Sequence, residues 1–293
     1  MAWDEIVYEY DGSYHGFLCC IYESYMNKEF PIAFYGDEEC FSLYPVRSVI
    51  TDRSHARRVQ HSIVQRSAAA AELLQRAFLT CMEDKEMHLY RFVRKLYKSG
   101  PAFLRNRADE ACYPLAKAVR AMNGELEKLR GFVRFSDYQG VLGSEIEPKN
   151  QVLPLLRSHF CSRYANESFF IYDRTHRQIL LYAKGRSRIF PVDELHLALP
   201  DEGEIQYRRL WKCFYETVSI AERTNPRCQN THLPKRYRGT MTEFLPDDFE
   251  ARRQRALTSP ASPAAPAVPG APAGRSAPEI LRSPGPSAAA SAP

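Results

Sequence analysis

Phe169-Phe170-Ile171-Tyr172, Asp173-Arg174-Thr175-His176-Arg177 and Gln178-Ile179-Leu180-Leu181-Tyr182-Ala183 follow one another without interruption. Two runs rich in β-branched and aromatic residues flank a polar break of five residues, which predicts a hairpin. Lys184-Gly185 offers a turn into a third such run, Arg188 to Val192. Upstream, Phe132 to Phe135 and Val141 to Ile146 read as further strands, and Pro154 to Tyr164 reads as a helix set among them. This half of the chain therefore predicts a small, mostly antiparallel sheet.

Outward from the sheet, the periodicity changes to that of helices. Ile6-Val7-Tyr8 is a short strand turned by Asp11-Gly12, and a helix carrying Phe17, Cys20, Ile21 and Tyr25 follows. A helix from Ser54 to Cys81 keeps Val59, Ile63, Ala70, Leu74 and Phe78 on one stripe. Two more run from Glu83 to Lys98, stopped by Gly100-Pro101, and from Pro114 to Gly131. Beyond the sheet, Asp201 with Glu204 three residues on opens a long helix, a variant capping box. Tyr207, Trp211, Phe214, Val218 and Ala221 fall at alternating four and three spacing, which predicts its buried face. The economical architecture is α+β: a single domain over residues 1–250 with a small, mostly antiparallel sheet packed against several helices. Residues 251–293 read as a Pro/Ala/Ser-rich disordered tail; nine of the 20 prolines lie between Ala256 and Pro293, with no aromatic residue to seed a core.

Composition narrows the class. A 44% hydrophobic content with 12% aromatics is that of a globular chain with material for a core. The net charge of +5 is weak ground for a polyanionic partner, but Thr51 to Arg107 alone carries +7 and the remainder −2. No apolar run approaches the ~20 residues of a membrane span, so no membrane association is expected. Eight scattered cysteines without a C-x-x-C pair, behind a start that lacks a basic and apolar signal, predict a reducing cytoplasmic setting with nearly all thiols buried and inert.

Basic residues form two candidate surfaces. Between Arg223 and Arg238 lie Arg223, Arg227, Lys235, Arg236 and Arg238 with no acidic residue, on a loop that begins where Asn225-Pro226 ends the preceding helix. Such groups bind phosphate oxygens, and Tyr237 between two arginines is placed to stack on an exposed base. The alternative is a solvated loop pairing internally with Glu145, Glu147 or Glu243. Arg91, Arg94, Lys95 and Lys98 share one side of a helix at three-to-four spacing. Arg53, Arg57 and Arg58 open the helix before it, against the macrodipole.

Acidic candidates are sparser. Glu145 and Glu147 alternate along a strand, able to hold a metal, to act as acid and base, or to pair across strands with Arg134 or Arg163. Asp11 is the third, although turn chemistry alone accounts for it. His159, beside an apolar stripe, reads as a hydrogen-bonded structural histidine. No Cys/His zinc spacing, phosphate loop, nucleophile elbow or C-x-x-x-C-x-x-C triplet occurs, so neither a resident metal nor a cofactor is expected.

Several stretches fall in a recognisable order: Tyr10-Asp11-Gly12-Ser13 with Gly16-Phe17-Leu18, Gly131-Phe132-Val133-Arg134-Phe135, Glu145-Ile146-Glu147-Pro148 and Leu153-Pro154-Leu155-Leu156-Arg157-Ser158-His159-Phe160. Arg223-Thr224-Asn225-Pro226-Arg227, Pro234-Lys235-Arg236-Tyr237-Arg238 and Glu243-Phe244 complete it. Over roughly residues 6 to 244 this order resembles a bacterial family of probable DNA metabolism proteins, a domain of unknown function numbered 4130. The resemblance implies a gene neighbour of the radical SAM class acting in DNA modification or repair, and in some members a fused uracil-DNA-glycosylase-like domain. The chain departs from the fused form, with a Pro/Ala-rich tail in place of that domain. It departs again at Glu125-Leu126-Glu127-Lys128-Leu129, where the family has a histidine-containing approach to the Gly-Phe pair. The second departure favours binding over chemistry. The leading expectation is a DNA-binding accessory protein that presents nucleic acid to such a partner enzyme. The alternative is a nucleic-acid-processing enzyme using Asp11, Glu145 or Glu147.

Overall fold

A computed structural model describes residues 3–36, 42–193, 195, 197, 200–220 and 225–245. The expected tail lies outside the described residues. The architecture is α+β, with two sheets rather than one.

The first sheet is parallel. Strand β1 (Asp4–Glu9) is central, with β2 (Glu29–Tyr35) on one side and β3 (Val46–Ser48) on the other. Pro31 lies in β2, an edge strand, where a missing N–H does least damage, and the register slips beside it between Ile6 and Val7. Helix α1 (Tyr14–Asn27) is the crossover from β1 to β2. Ser13 caps it by accepting from the Gly16 N–H, while the Asp11 carboxylate accepts from the Ser13 N–H at 2.9 Å and the Thr51 hydroxyl at 2.8 Å. Gly16 leaves room for this turn, since a Cβ there would stand 2.2 Å from Asp11 Oδ1 and force that carboxylate to shift.

Helices α2 (Arg53–Arg66), α3 (Ala68–Phe78), α4 (Lys85–Ser99) and α5 (Tyr113–Phe132) follow. The expected single helix from Ser54 to Cys81 is two. Ser67 takes an extended conformation, and its hydroxyl accepts from the Ala70 N–H at 3.2 Å, capping a new helix. The apolar stripe crosses the break because both helices press on the same core, so periodicity alone hid it.

The second sheet has the order β4-β5-β6-β7-β8: Ser136–Tyr138, Val141–Ile146, Phe169–Asp173, Gln178–Ala183 and Arg186–Pro191. Every pairing is antiparallel except β5 with β6, which α6 (Leu153–Arg163) connects as a crossover. Phe132 to Phe135 is not a strand: α5 runs through Phe132, and pairing starts only at Ser136. The β6–β7 hairpin forms as expected, with Asp173 inside the strand, so its loop is residues 174–177. Along β6, Phe169 and Ile171 enter the main core while Phe170 and Tyr172 join a smaller cluster with Ile179 on the opposite face. This two-sided burial explains an uninterrupted apolar run where alternation would be usual.

Helix α7 (Glu202–Val218) starts as expected, Asp201 accepting from the Glu204 N–H at 2.8 Å. Its expected buried face is not buried: Tyr207 is 73% exposed, Trp211 40%, Phe214 56% and Val218 60%. Ala221 lies outside the described residues. Asn225-Pro226 does not end this helix but begins α8 (Pro226–His232), with Asn225 as its cap and Pro226 in its first turn. Two 3-10 turns, Lys235–Thr240 and Thr242–Phe244, close the described chain. Among the described cysteines all are free; Cys19, Cys20 and Cys112 are buried, but Cys81, Cys213 and Cys228 are exposed, more than expected.

Candidate nucleic-acid interface

The C-terminal end of α5, the end of α6 and one side of α7 line an open groove of about 820 Å³. Its charged lining is four arginines, Arg130, Arg134, Arg163 and Arg208, against one carboxylate, Glu204. Apart from Thr242, the rest is apolar and largely aromatic, notably Phe135, Tyr164, Tyr207, Trp211 and Phe214. Basic groups interleaved with accessible rings are the ingredients of a surface that tracks phosphates and stacks bases.

Buried carboxylates hold two of these arginines in place. Glu204 accepts from Arg208 Nε at 2.7 Å and from the Asp137 N–H at 3.1 Å, fastening the first turns of α7 to β4. Arg208 also donates to the Ser136 hydroxyl at 2.7 Å. Glu243, almost wholly buried, receives Arg134 at 2.8 Å, and the same guanidinium lies 5.8 Å from the Trp211 ring centre. Tyr215 meets Phe244 edge-on, so the last 3-10 turn props α7 from behind. Trp211 and Phe214, one helical turn apart, stack at 5.7 Å and 25°. Arg130 pairs with Glu127 at 2.7 Å, and Arg163 is exposed, with its guanidinium 5.9 Å from the Tyr164 ring. Its head is therefore available to an anion at the groove edge.

His159 is in α6, one residue before groove-lining Phe160. Its Nε2 is buried without a hydrogen-bond partner among the described residues, so it is not the hydrogen-bonded histidine expected. Burial first, then the nearby Arg130 and Arg163, hold its pKa below the usual imidazole value, with Glu127 acting the other way.

None of the nucleic-acid candidates singled out in the sequence lines this groove. Arg223 lies outside the described residues. Arg227 and Lys235 are exposed. Arg236 is committed to Glu125 at 2.8 Å and also donates to the Tyr237 hydroxyl. Tyr237 is only 5% exposed and packs against Phe132, so its ring is not offered to a base. Arg238 bonds Asn230 and the Leu233 carbonyl and lies over Phe244. The internal-pairing alternative thus describes Arg236 and Arg238, although Arg236 pairs with Glu125 rather than with Glu145, Glu147 or Glu243. On α4, Arg91 and Lys98 are exposed, Lys95 pairs with Asp109 at 2.6 Å, and Arg94 is sandwiched over Trp3 and Phe30.

The carboxylate candidates do not converge on the groove either. Asp11 belongs to the turn before α1; burial pushes its carboxyl up, but the bonds from Ser13 and Thr51 outweigh this and hold it below the usual range. Glu145 is on β5, and Glu147, just past its end, pairs with Arg174 at 2.8 Å rather than with Arg134 or Arg163. Among the described residues, no group of three or more His, Cys, Asp or Glu side chains is placed to hold a metal ion. No described helix is long and apolar enough to cross a membrane.

A buried carboxylate that sequence reading passed over organises the turn at Lys149 and Asn150. Glu125 accepts from the N–H groups of Lys149 and Asn150, from Asn150 Nδ2 and from Arg236. The sequence signal was faint: one acidic residue on the apolar side of a helix, at the position where the chain departs from the family it resembles.

The sequence model of a family described as a domain of unknown function (DUF4130) matches residues 83–243, more than half of the chain and a span that includes every residue lining the groove. No curated protein and no solved structure matches the chain.

Proposed function

The chain belongs to the DUF4130 family, and from that premise we propose that it is a DNA-binding accessory protein of DNA repair or modification, presenting nucleic acid to a partner enzyme of the radical SAM or uracil-DNA-glycosylase-like kind. The observation that carries this reading is the groove, where four arginines and an exposed aromatic wall meet. Duplex and single strands alike carry closely spaced phosphates, and arginine binds them through charge-assisted hydrogen bonds. Arg227 and Lys235, with Arg91 and Lys98 on α4, would widen the footprint as further phosphate contacts. A cytoplasmic setting is part of the same reading, in keeping with the free cysteines.

Phosphate-dominated binding has a salt signature: log affinity falls linearly with log salt, by about 0.7 to 0.9 per phosphate neutralised. Fluorescence anisotropy on labelled single-stranded and duplex DNA should show this line. Arg163→Glu should bind more weakly and flatten the slope by about one contact. A double variant of Arg227→Glu and Lys235→Glu should also bind more weakly and flatten the slope by about two contacts, because both side chains are exposed and neither has an internal partner among the described residues, as Arg236 has in Glu125. An intact protein with no measurable affinity for either form at low salt would overturn the proposal.

A further inference from the structure

We propose that the groove takes an unpaired nucleobase stacked on the Trp211 side of α7, with its phosphate on Arg163 and Arg130, so that the preferred partner is single-stranded or locally unpaired nucleic acid. This rests on the nucleic-acid reading above and names the substrate class of that site.

Size is the first argument. A volume of about 820 Å³ lies within the roughly 300–1,000 Å³ of sites that enclose small organic ligands. That is the scale of splayed-out nucleotides rather than of a double helix. In a duplex the faces of the bases are covered by their neighbours, and only phosphates and base edges are presented. The rings of Trp211, Phe214 and Tyr207 could then contribute nothing, yet they are held at the surface with 40%, 56% and 73% exposure. Exposed aromatic surface of this extent is uncommon unless it meets a ligand or partner.

Charge sorts the groove into two sides. Arg134 and Arg208, nearest the aromatic helix, are each balanced by a buried carboxylate, Glu243 and Glu204. Arg163, across the groove on α6, is exposed with the Tyr164 ring beneath it and has no carboxylate partner among the described residues, while Arg130 shares its charge with the exposed Glu127. The α7 side is thus close to neutral and aromatic, and the α5–α6 side is positive. A nucleotide has the complementary division: a neutral π-face at one end and a phosphodiester at the other. Every base has such a face, so stacking here would tolerate any sequence.

Trp211 reports on its own site. The chain has two tryptophans, and Trp3→Phe leaves Trp211 as the sole indole emitter. Adding an oligothymidylate should quench that emission, saturating with the affinity measured by anisotropy. A duplex of equal length should bind more weakly and leave the emission unchanged. Trp211→Ala should weaken single-strand binding by roughly 5- to 150-fold per stacked base, and Trp211→Phe should restore most of the loss, since it retains a ring. Equal affinity for single strand and duplex, with Trp211→Ala binding as the parent does, would overturn this inference while leaving the DNA-binding proposal in place. Absence of binding to either form at low salt would overturn both.

Discussion

At the scale of single residues, the outcome turns on which charges are already spent. Arg236, prominent in the sequence, is tied to Glu125, whose side chain is 2% exposed. Charge reversal at Arg236 would set two carboxylates together and report on folding rather than on binding. Glu125 matters mainly through the donors it satisfies at Lys149 and Asn150, because the Arg236 side chain is 39% exposed and its Coulombic share is screened. Glu125→Ala should therefore cost roughly 2–4 kcal/mol in urea unfolding; a variant as stable as the parent would show that the 149–150 turn finds other partners. His159 gives a pH test. Its pKa is lower folded than unfolded, so the fold disfavours the proton, and stability should fall as pH drops below ~6.5, reaching its floor beneath the folded pKa. In His159→Gln that part of the decline should vanish between pH 7.5 and pH 5. If parent and variant lose stability in parallel, His159 does not titrate as its surroundings dictate.

At the scale of elements, caps and breaks were harder to read than stripes. The helix break at Ser67 is a local event: one hydroxyl and one extended residue set it, while Ile63 and Ala70 on either side share the core. Ser67→Ala should destabilise the protein by about 1 kcal/mol, measured as a shift in the denaturation midpoint at unchanged slope. A midpoint equal to the parent's would mean that core packing alone sets the break. The first sheet was only partly legible. β1 was visible in Ile6-Val7-Tyr8, but β2 contains a proline and β3 has three exposed residues, so neither shows a strand's usual pattern. For α7 the period is legible in the sequence and its destination is not. Spacing of four and three says that a helix has an apolar face; it carries no information on what covers that face.

For the whole molecule, the amino-acid sequence by itself determined the α+β class, the hairpin of β6 and β7, the turn at Lys184-Gly185 and most helix positions. These follow from local physics, namely side-chain periodicity, turn residues and capping groups, which act within a few residues of chain. It also marked the informative region: Gly131 to Phe135, the end of α6 and the aromatic stripe of α7 all contribute to the groove. What it could not supply was their convergence. Arg134 meets Glu243 and Arg236 meets Glu125 across more than one hundred residues of chain, and no pattern in a linear sequence pairs charges at such separations. Only the tertiary structure decided which arginines are neutralised, which ring is buried and which is left open. Tyr237 went into the core and Trp211 to the groove because the packing of α5 encloses the first, while Glu204, Arg208 and Phe244 hold α7 where its aromatic face stays open.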